Sequence, residues 1–409
     1  MTPTNPASEK SALDWLYSTQ FFGMKLGLEN TQKLLTALQL PAPQQQFIHV
    51  AGTNGKGSVC AFLHSILRQG GINSGLFTSP HLIQFRERIQ DAHDTISPQE
   101  LAAGIARIRS LTEAWTPHPT FFEITLALGL GWFQQRHLPW VILETGLGGR
   151  LDATNVVTPA VSVITPIGLD HTQILGDPLT AIATEKAGII KPGIPVVTGP
   201  QQPEAMAVLE NVAAQRGSTL IVVKEPCTLP LGLIGQHQAW NAALALAALR
   251  AAGLHLSDAV LAEGLRQTTW PARFQQLDAQ TILDGAHNPH AATVLVEAWQ
   301  QRFGDEQATV IFGASSGKDT AAILQTLAPI VRRWIFTGFR SPRALTPEAV
   351  AQLLPAQETQ PQVQIASDIT AALTLAAQHP EPRLITGSLY FAGEVLAHHR
   401  SVALEPSDQ

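Results

Sequence analysis

The sequence predicts an α/β protein of two domains, on three observations. A glycine-rich stretch, His49-Val-Ala-Gly-Thr-Asn-Gly-Lys-Gly-Ser58, stands between a short apolar run and a helical pattern. Short apolar runs alternate with helical patterns over most of the chain, and such alternation argues parallel sheets covered by helices. At 409 residues the chain exceeds the size at which one core usually stops growing. The boundary is expected at Trp270-Pro271-Ala272-Arg273-Phe274, which divides 1–272 from 273–409.

Taken in order, residues 1–10 read as a disordered tail. Ser11 to Leu40 is helix-rich, broken at Phe22-Gly23, with a second amphipathic run from Glu29 to Leu38 that Pro41 and Pro43 end. Phe47–Val50 reads as a buried strand and Val59–Gln69 as a helix. A strand near Asn73–Phe77 runs into the polar turn Thr78-Ser79-Pro80-His81-Leu82. Ser97-Pro98-Gln99-Glu100 is a capping box with proline at the first helical position, opening a helix to about Leu111. Phe121–Gln135 is a further helix. Strands Val141–Leu143 and Val161–Thr165 run into Glu144-Thr145-Gly146 and Pro166-Ile167-Gly168-Leu169-Asp170-His171. A helix Leu179–Ile190, a strand Pro195–Thr198, a helix from Glu204, a strand near Leu220–Val223 and an alanine-rich helix Ala239–Ala252 follow. Beyond the boundary five strands, at 282–283, 310–312, 334–336, 363–365 and 384–386, each precede a helix, which predicts a second doubly wound domain.

Composition narrows the function. The net charge of −6 offers no basic stripe for nucleic acid, and no apolar run approaches a membrane span. Two cysteines, Cys60 and Cys227, fit a reducing compartment, and the N-terminus lacks a signal pattern. A cytoplasmic protein without nucleic-acid or membrane partners is expected.

Strand, glycine-rich turn and helix start form the context of a phosphate loop. Glycines admit backbone N–H groups close to phosphate oxygens, and the helix N-terminus favours negative charge. Lys56 would neutralise the outer phosphates, and Ser58 would meet a magnesium ion or a phosphate oxygen. The spacing Gly52-x-x-Gly55-Lys56-Gly57-Ser58 departs from the common loop by a glycine between lysine and serine. Taken alone it reads equally well as a glycine-rich turn with a surface lysine. Glu144 and His171 each stand just past a strand, where ligands collect in open α/β sheets. Glu144 suits magnesium, which prefers hard oxygen ligands. A lone histidine in such a place is more often a structural hydrogen-bonder, and Lys186 beside Glu185 reads alone as a solvated pair.

Taken together, these blocks resemble the folylpolyglutamate synthase / dihydrofolate synthase family of the Mur ligase superfamily. The resemblance rests on His49–Ser58, Thr78–Leu82 with Phe85–Ile89, Glu144–Asn155, Ile167–Thr172, Glu185–Gly193, Gly235–Gln238 with Asn241–Ala243, Arg273–Gln275, Leu283–His290 and Thr386–Tyr390. It implies a P-loop-containing, Mur-ligase-like ATP-binding domain over 1–272 and a smaller Rossmann-like, glutamate-binding α/β domain over 273–409. The implied reaction is the magnesium- and ATP-driven joining of a folate carboxylate, and of dihydropteroate, to the amine of L-glutamate through an acyl phosphate. A ligase restricted to folates is the alternative within the class, and a P-loop switch without ligase chemistry the alternative outside it. ATP contacts are implied at Gly52, Thr53, Asn54, Gly55, Lys56, Gly57, Ser58, Asn241, Arg273 and Asp284, and metal contacts at Ser79, Glu144 and His171. Lys56, Lys186 and His287 are the implied catalytic set, with Lys186 carbamylated. Substrate contacts are implied at Met24, Lys25, Leu26, Gly27, Thr120, Phe121, Phe122, Glu123, Leu151, Asp152, Ala153 and Ser388. Lys25 and Ala272 depart from the family pattern, and Gly317-Lys318-Asp319 keeps its lysine–aspartate pair. A monomer is expected.

Overall fold

A computed structural model of the chain describes residues 6–22, 27–355 and 361–405. Two sheets form. The first joins β1 (Gln46–Ala51), β2 (Ser74–Phe77), β3 (Ile89–Gln90), β4 (Trp140–Glu144), β5 (Val161–Ile164), β6 (Val196–Thr198) and β7 (Leu220–Val222). Their spatial order is β3-β2-β4-β1-β5-β6-β7, parallel except for β3. The second joins β8 (Gln275–Gln276), β9 (Thr281–Leu283), β10 (Ala308–Phe312), β11 (Val331–Thr337), β12 (Gln362–Ala366) and β13 (Arg383–Thr386), in the order β12-β11-β10-β13-β9-β8, parallel except for β8.

Near-continuous apolar runs make these strands central, because helices cover both faces of a parallel sheet. The core strands β1, β4 and β5 are buried along almost their whole length. One face packs on Phe62, Ile66, Ala245 and Leu249, from the helices Lys56–Gln69 and Gln236–Ala251. The other packs on Ile124, Leu128 and Phe133 of the helix Phe121–Gln135. The second sheet has its own two cores, one around Trp299, Phe312 and Trp334, the other around Ile311, Ile335 and Phe391.

Register explains where the site lies. Val50 pairs with Glu144, and Ala51 with Ile164. The chain therefore leaves β1, β4 and β5 side by side, at the point where the strand order reverses about β1.

Several boundaries differ from expectation. Residues 6–10 are not tail but the start of a helix, Pro6–Ser18. The helix read as Leu179–Ile190 ends at Ala187, and Ile189 and Ile190 are buried beyond it. A helix Asp258–Gln267, N-capped by Ser257, forms where none was read. Among the described residues no helix is long and apolar enough to cross a membrane.

Candidate active site

The loop after β1 is built by close approach. Gly52 has φ +150°, and a Cβ there would overlap the Thr165 side chain. Gly55 has φ +90°, and a Cβ would come 2.6 Å from Asn241 Oδ1. Thr53 N and Asn54 N donate to Pro166 O, and Thr53 Oγ1 donates to Gly168 O at 3.0 Å. The loop thus hangs from the segment after β5. The helix begins at Lys56 and aims its free N–H groups into the space above. Gly55→Ala is expected to add about 1–3 kcal/mol of backbone strain and to weaken nucleotide binding, read by titration. Wild-type affinity in that variant would show that the close approach is not needed.

Two lysines converge on one carbonyl. Lys56 Nζ donates to Gly52 O at 3.1 Å and to Thr53 O at 3.3 Å. Lys186 Nζ reaches the same Gly52 O at 2.9 Å, from a residue only 4% exposed. Burial, then the charge of Lys56, lowers the Lys186 pKa to about 7.

Ser79, Glu144 and His171 face the same space. Glu144 is buried, which raises its pKa; the Lys56 charge and the Ser79 N–H, 3.1 Å from Oε2, act in the opposite direction. His171 adopts φ +52°, and burial, then Lys318, lowers its pKa to about 4, so its ring is neutral near pH 7. A buried carboxylate beside a hydroxyl and a neutral imidazole fits a small hard cation. Among the described residues no three His, Cys, Asp or Glu form a metal cage. An ion held here would rely on one carboxylate and leave positions for phosphate and water, as magnesium does.

The second lobe supplies the opposite wall. Asp284, just past β9, accepts from Phe274 N at 2.7 Å and Ala286 N at 2.8 Å; burial raises its pKa, and Arg273 lowers it. Arg273 stands between two residues of positive φ, Ala272 and Phe274, so the linker turns sharply around it. His287 Nδ1 lies 2.9 Å from Gly285 O. Gly55, Lys56, Ser79, Glu144, His171, Lys186, Asn241, Arg273, Asp284 and His287 all line one cavity of about 400 Å³ between the lobes. Its lining also has an apolar part, to which the helix Gln236–Ala251 contributes Leu244 and the helix Pro289–Phe303 contributes Val294 and Ala298.

Other residues of this site carried no assigned role in the sequence. Asp170 accepts from Lys318 Nζ at 2.6 Å and Asn288 Nδ2 at 3.2 Å, and lies 3.6 Å from His287 Nε2. Burial acts to raise its pKa, but His287 and Lys318 hold it well below the usual carboxylate range. Asn288 and Asn54 exchange amide hydrogen bonds at 3.1 and 3.2 Å, and His290 Nδ1 lies 2.8 Å from Asn54 Nδ2. Both lobes thus grip the glycine-rich loop. The signal in the sequence was the position of Asp170, Asn288 and His290 inside the quoted blocks, and of Lys318 in Gly317-Lys318-Asp319.

The remaining expected contacts lie elsewhere. Thr120 caps the helix Phe121–Gln135. Glu123 accepts from Thr120 N at 2.7 Å and Thr31 Oγ1 at 2.9 Å. Phe121 stacks on Tyr17, with ring centroids 5.6 Å apart. Phe122 packs against Phe77 and lies beneath Gly146, a residue of the cavity wall. Asp152 accepts from Leu147 N at 2.8 Å, between Leu151 and the buried Ala153. Ser388 caps its helix and bonds Ser315 Oγ at 2.9 Å. None of these lines the cavity, although Leu147 and Leu389 beside them do. Gly27 has φ +132°, and Met24, Lys25 and Leu26 lie outside the described residues.

Residues 272–388 match the family described as Mur ligase, glutamate ligase domain. The chain is 36% identical to a Bacillus subtilis (strain 168) dihydrofolate synthase/folylpolyglutamate synthase, over 94% of this chain and 98% of that protein. It resembles a Mycobacterium tuberculosis folylpolyglutamate synthase complexed with ADP and AMPPCP, at TM-score 0.87 and 29% identity, covering 96% of this chain and 99% of that one. It also resembles a Yersinia pestis bifunctional folylpolyglutamate synthase/dihydrofolate synthase complexed with AMPPNP and Mn ion, at TM-score 0.87 and 32% identity, covering 98% and 100%.

Proposed function

The chain belongs to the folylpolyglutamate synthase / dihydrofolate synthase family of Mur ligases, and from that premise we propose how its residues divide the work. It is an ATP-dependent ligase that joins L-glutamate to folates, using a divalent metal. A carboxylate is a poor electrophile, so ATP first converts it to an acyl phosphate. Phosphoryl transfer depends on positioning and on neutralising the charge of the moving group. The amine of glutamate must then meet the acyl phosphate before water does, which a cavity closed by two lobes favours.

In our reading, Gly52 to Ser58 cradle the phosphates, and Lys56 neutralises the transferred group. Ser79, Glu144 and His171 would hold magnesium, which when bound shields phosphate charge. Asn241, Arg273 and Asp284 complete the nucleotide contacts, and the apolar lining from Leu244 and Val294 suits the base. His287 and Ser388 belong to the glutamate side. Gly27, Thr120 to Glu123 and Leu151 to Ala153 belong to the pterin side, together with 24–26. Lys186 is carbamylated: its neutral amine adds to carbon dioxide, forming an N–C bond and releasing a proton, so that a cation becomes a carboxylate. The low pKa of Lys186 supports this, because only the neutral amine reacts.

We further propose that the enzyme accepts dihydropteroate as well as folates, works in the cytoplasm as a monomer, and divides into domains at 272/273. The match of 272–388 and the separate cores of the two sheets support that division.

The observation that carries this reading is the shared cavity, onto which Gly55, Glu144 and Asp284 open from both lobes. The test supplies purified protein with ATP, magnesium, L-glutamate and either dihydropteroate or tetrahydrofolate. Glutamate-dependent phosphate release with each acceptor is expected. Release with tetrahydrofolate alone would leave a folate-only ligase, and hydrolysis indifferent to both acceptors would overturn the ligase reading.

A further inference from the structure

The two lobes touch in two chemically different ways. Around the phosphate loop the contacts join polar side chains, Asn54 with Asn288 and Asp170 with Lys318. Beside Ser79 the contacts are apolar and main-chain. There the turn after Ser79-Pro80 leaves the first lobe. Ile83, 3% exposed, sits in the core of the second lobe with Leu283, Ile311, Ile335 and Phe391. The helix Leu389–Arg400 rests directly on this turn, since a Cβ on Gly393 would overlap the Leu82 carbonyl oxygen. The turn is stiff. The Glu87 carboxylate receives the N–H groups of Leu82 at 2.8 Å, Ile83 at 3.1 Å and Gln84 at 3.0 Å.

After the helix the chain doubles back across the same turn. Leu404 packs on the core that holds Ile83. Glu405 N donates to Ile83 O at 2.9 Å, and Phe85 N donates to Glu405 Oε2 at 2.7 Å. One residue of the second lobe therefore clamps the main chain of the first on both sides of Gln84.

We propose that Glu405 is a positioning residue for the metal end of the site: by clamping Ile83 and Phe85 it holds Ser79 in place against Glu144. This rests on the assignment of Ser79 and Glu144 as metal contacts made above. The link from Ile83 back to Ser79 is short and has little freedom. Pro80 has a fixed φ, and His81 is buried with its Nδ1 2.8 Å from Arg88 Nε. A shift of Ile83 is thus carried to Ser79 and to the Ser79 N–H that bonds Glu144 Oε2. Loss of the Glu405 carboxylate frees Phe85 N and leaves the turn tied to the second lobe by the Glu405 N–H on Ile83 O and by apolar contacts. A single directional bond fixes its depth but not its rotation, since apolar contacts are non-directional.

The test compares full-length wild type with Glu405→Ala, Glu405→Gln and Glu144→Ala. Mn2+ is titrated in the presence of a non-hydrolysable ATP analogue, with free Mn2+ read by electron paramagnetic resonance. Glutamine keeps an acceptor oxygen for Phe85 N and alanine does not. Glu405→Ala is expected to weaken Mn2+ about tenfold, as loss of an outer-shell partner does. Glu405→Gln is expected to stay close to wild type. A lower Tm for Glu405→Ala with wild-type Mn2+ affinity would make the residue merely structural and overturn the proposal. So would equal losses in Glu405→Ala and Glu405→Gln. Glu144→Ala separates the two claims. If it binds Mn2+ like wild type, the metal assignment fails and the proposal with it; if it loses Mn2+ while Glu405→Ala does not, only the proposal fails.

Discussion

Lys56→Ala is expected to lower turnover by about a thousandfold or more while leaving the fold intact. The side chain does little for stability. Its two bonds are to the carbonyls of Gly52 and Thr53, its own loop, and a partly exposed lysine loses little when such contacts go. In the proposed role its value lies in charge placed where phosphate charge moves during transfer. Lys56 acts a second way. Its charge is the second cause, after burial, of the low Lys186 pKa, so its removal lets Lys186 regain a proton. The variant should therefore show a Tm near wild type, ATP binding weakened less than turnover, and a Lys186 titration moved to higher pH. Unchanged turnover would refute the phosphate-loop assignment.

What was legible in the sequence follows from where chemistry is contiguous. The shared placement of Gly52–Ser58, Glu144 and His171 on one cavity could be read because the loop follows β1, Glu144 ends β4, and His171 lies in the segment after β5. Helix starts were read late for a related reason. The patterns were read from Val59 and Ala239, whereas the helices begin at Lys56 and Gln236. In both, the first turn borders the cavity with polar residues, Lys56 and Ser58 in one and His237 and Gln238 in the other, in place of an apolar stripe. The grip across the lobes was not legible. Asp170 and Lys318 are 148 residues apart, and Asn54 and Asn288 are 234 apart. Their pairing depends on the strand orders of two sheets, which no local pattern states. Ile83 misleads in the same way. It is an apolar residue after a polar turn, and it packs in the core of the other lobe.

Lys186→Met is expected to abolish turnover and yet, compared with wild type whose Lys186 is an uncarbamylated amine, to stabilise the protein. An ammonium at this site is costly: the pKa falls from 10.5 to about 7, first because burial removes water and then because Lys56 lies near. A fall of that size corresponds to roughly 5 kcal/mol against the charged form. The unfolded chain holds the proton up to its ordinary pKa, whereas the folded chain releases it near 7. The unfolded state therefore binds more protons between about pH 7 and 10.5, and stability rises with pH across that window. It is lost as pH falls toward 7. Methionine keeps the volume, removes the charge and forfeits one hydrogen bond to Gly52 O, worth about 1 kcal/mol. The variant should melt higher at pH 7 and show a flatter stability profile between pH 7 and 9.5, measured by denaturant unfolding. Retained turnover would show that Lys186 takes no part in the reaction. A lower Tm with an unchanged pH slope would show that the amine is charged and paired in the folded protein, which would remove the physical basis for carbamylation.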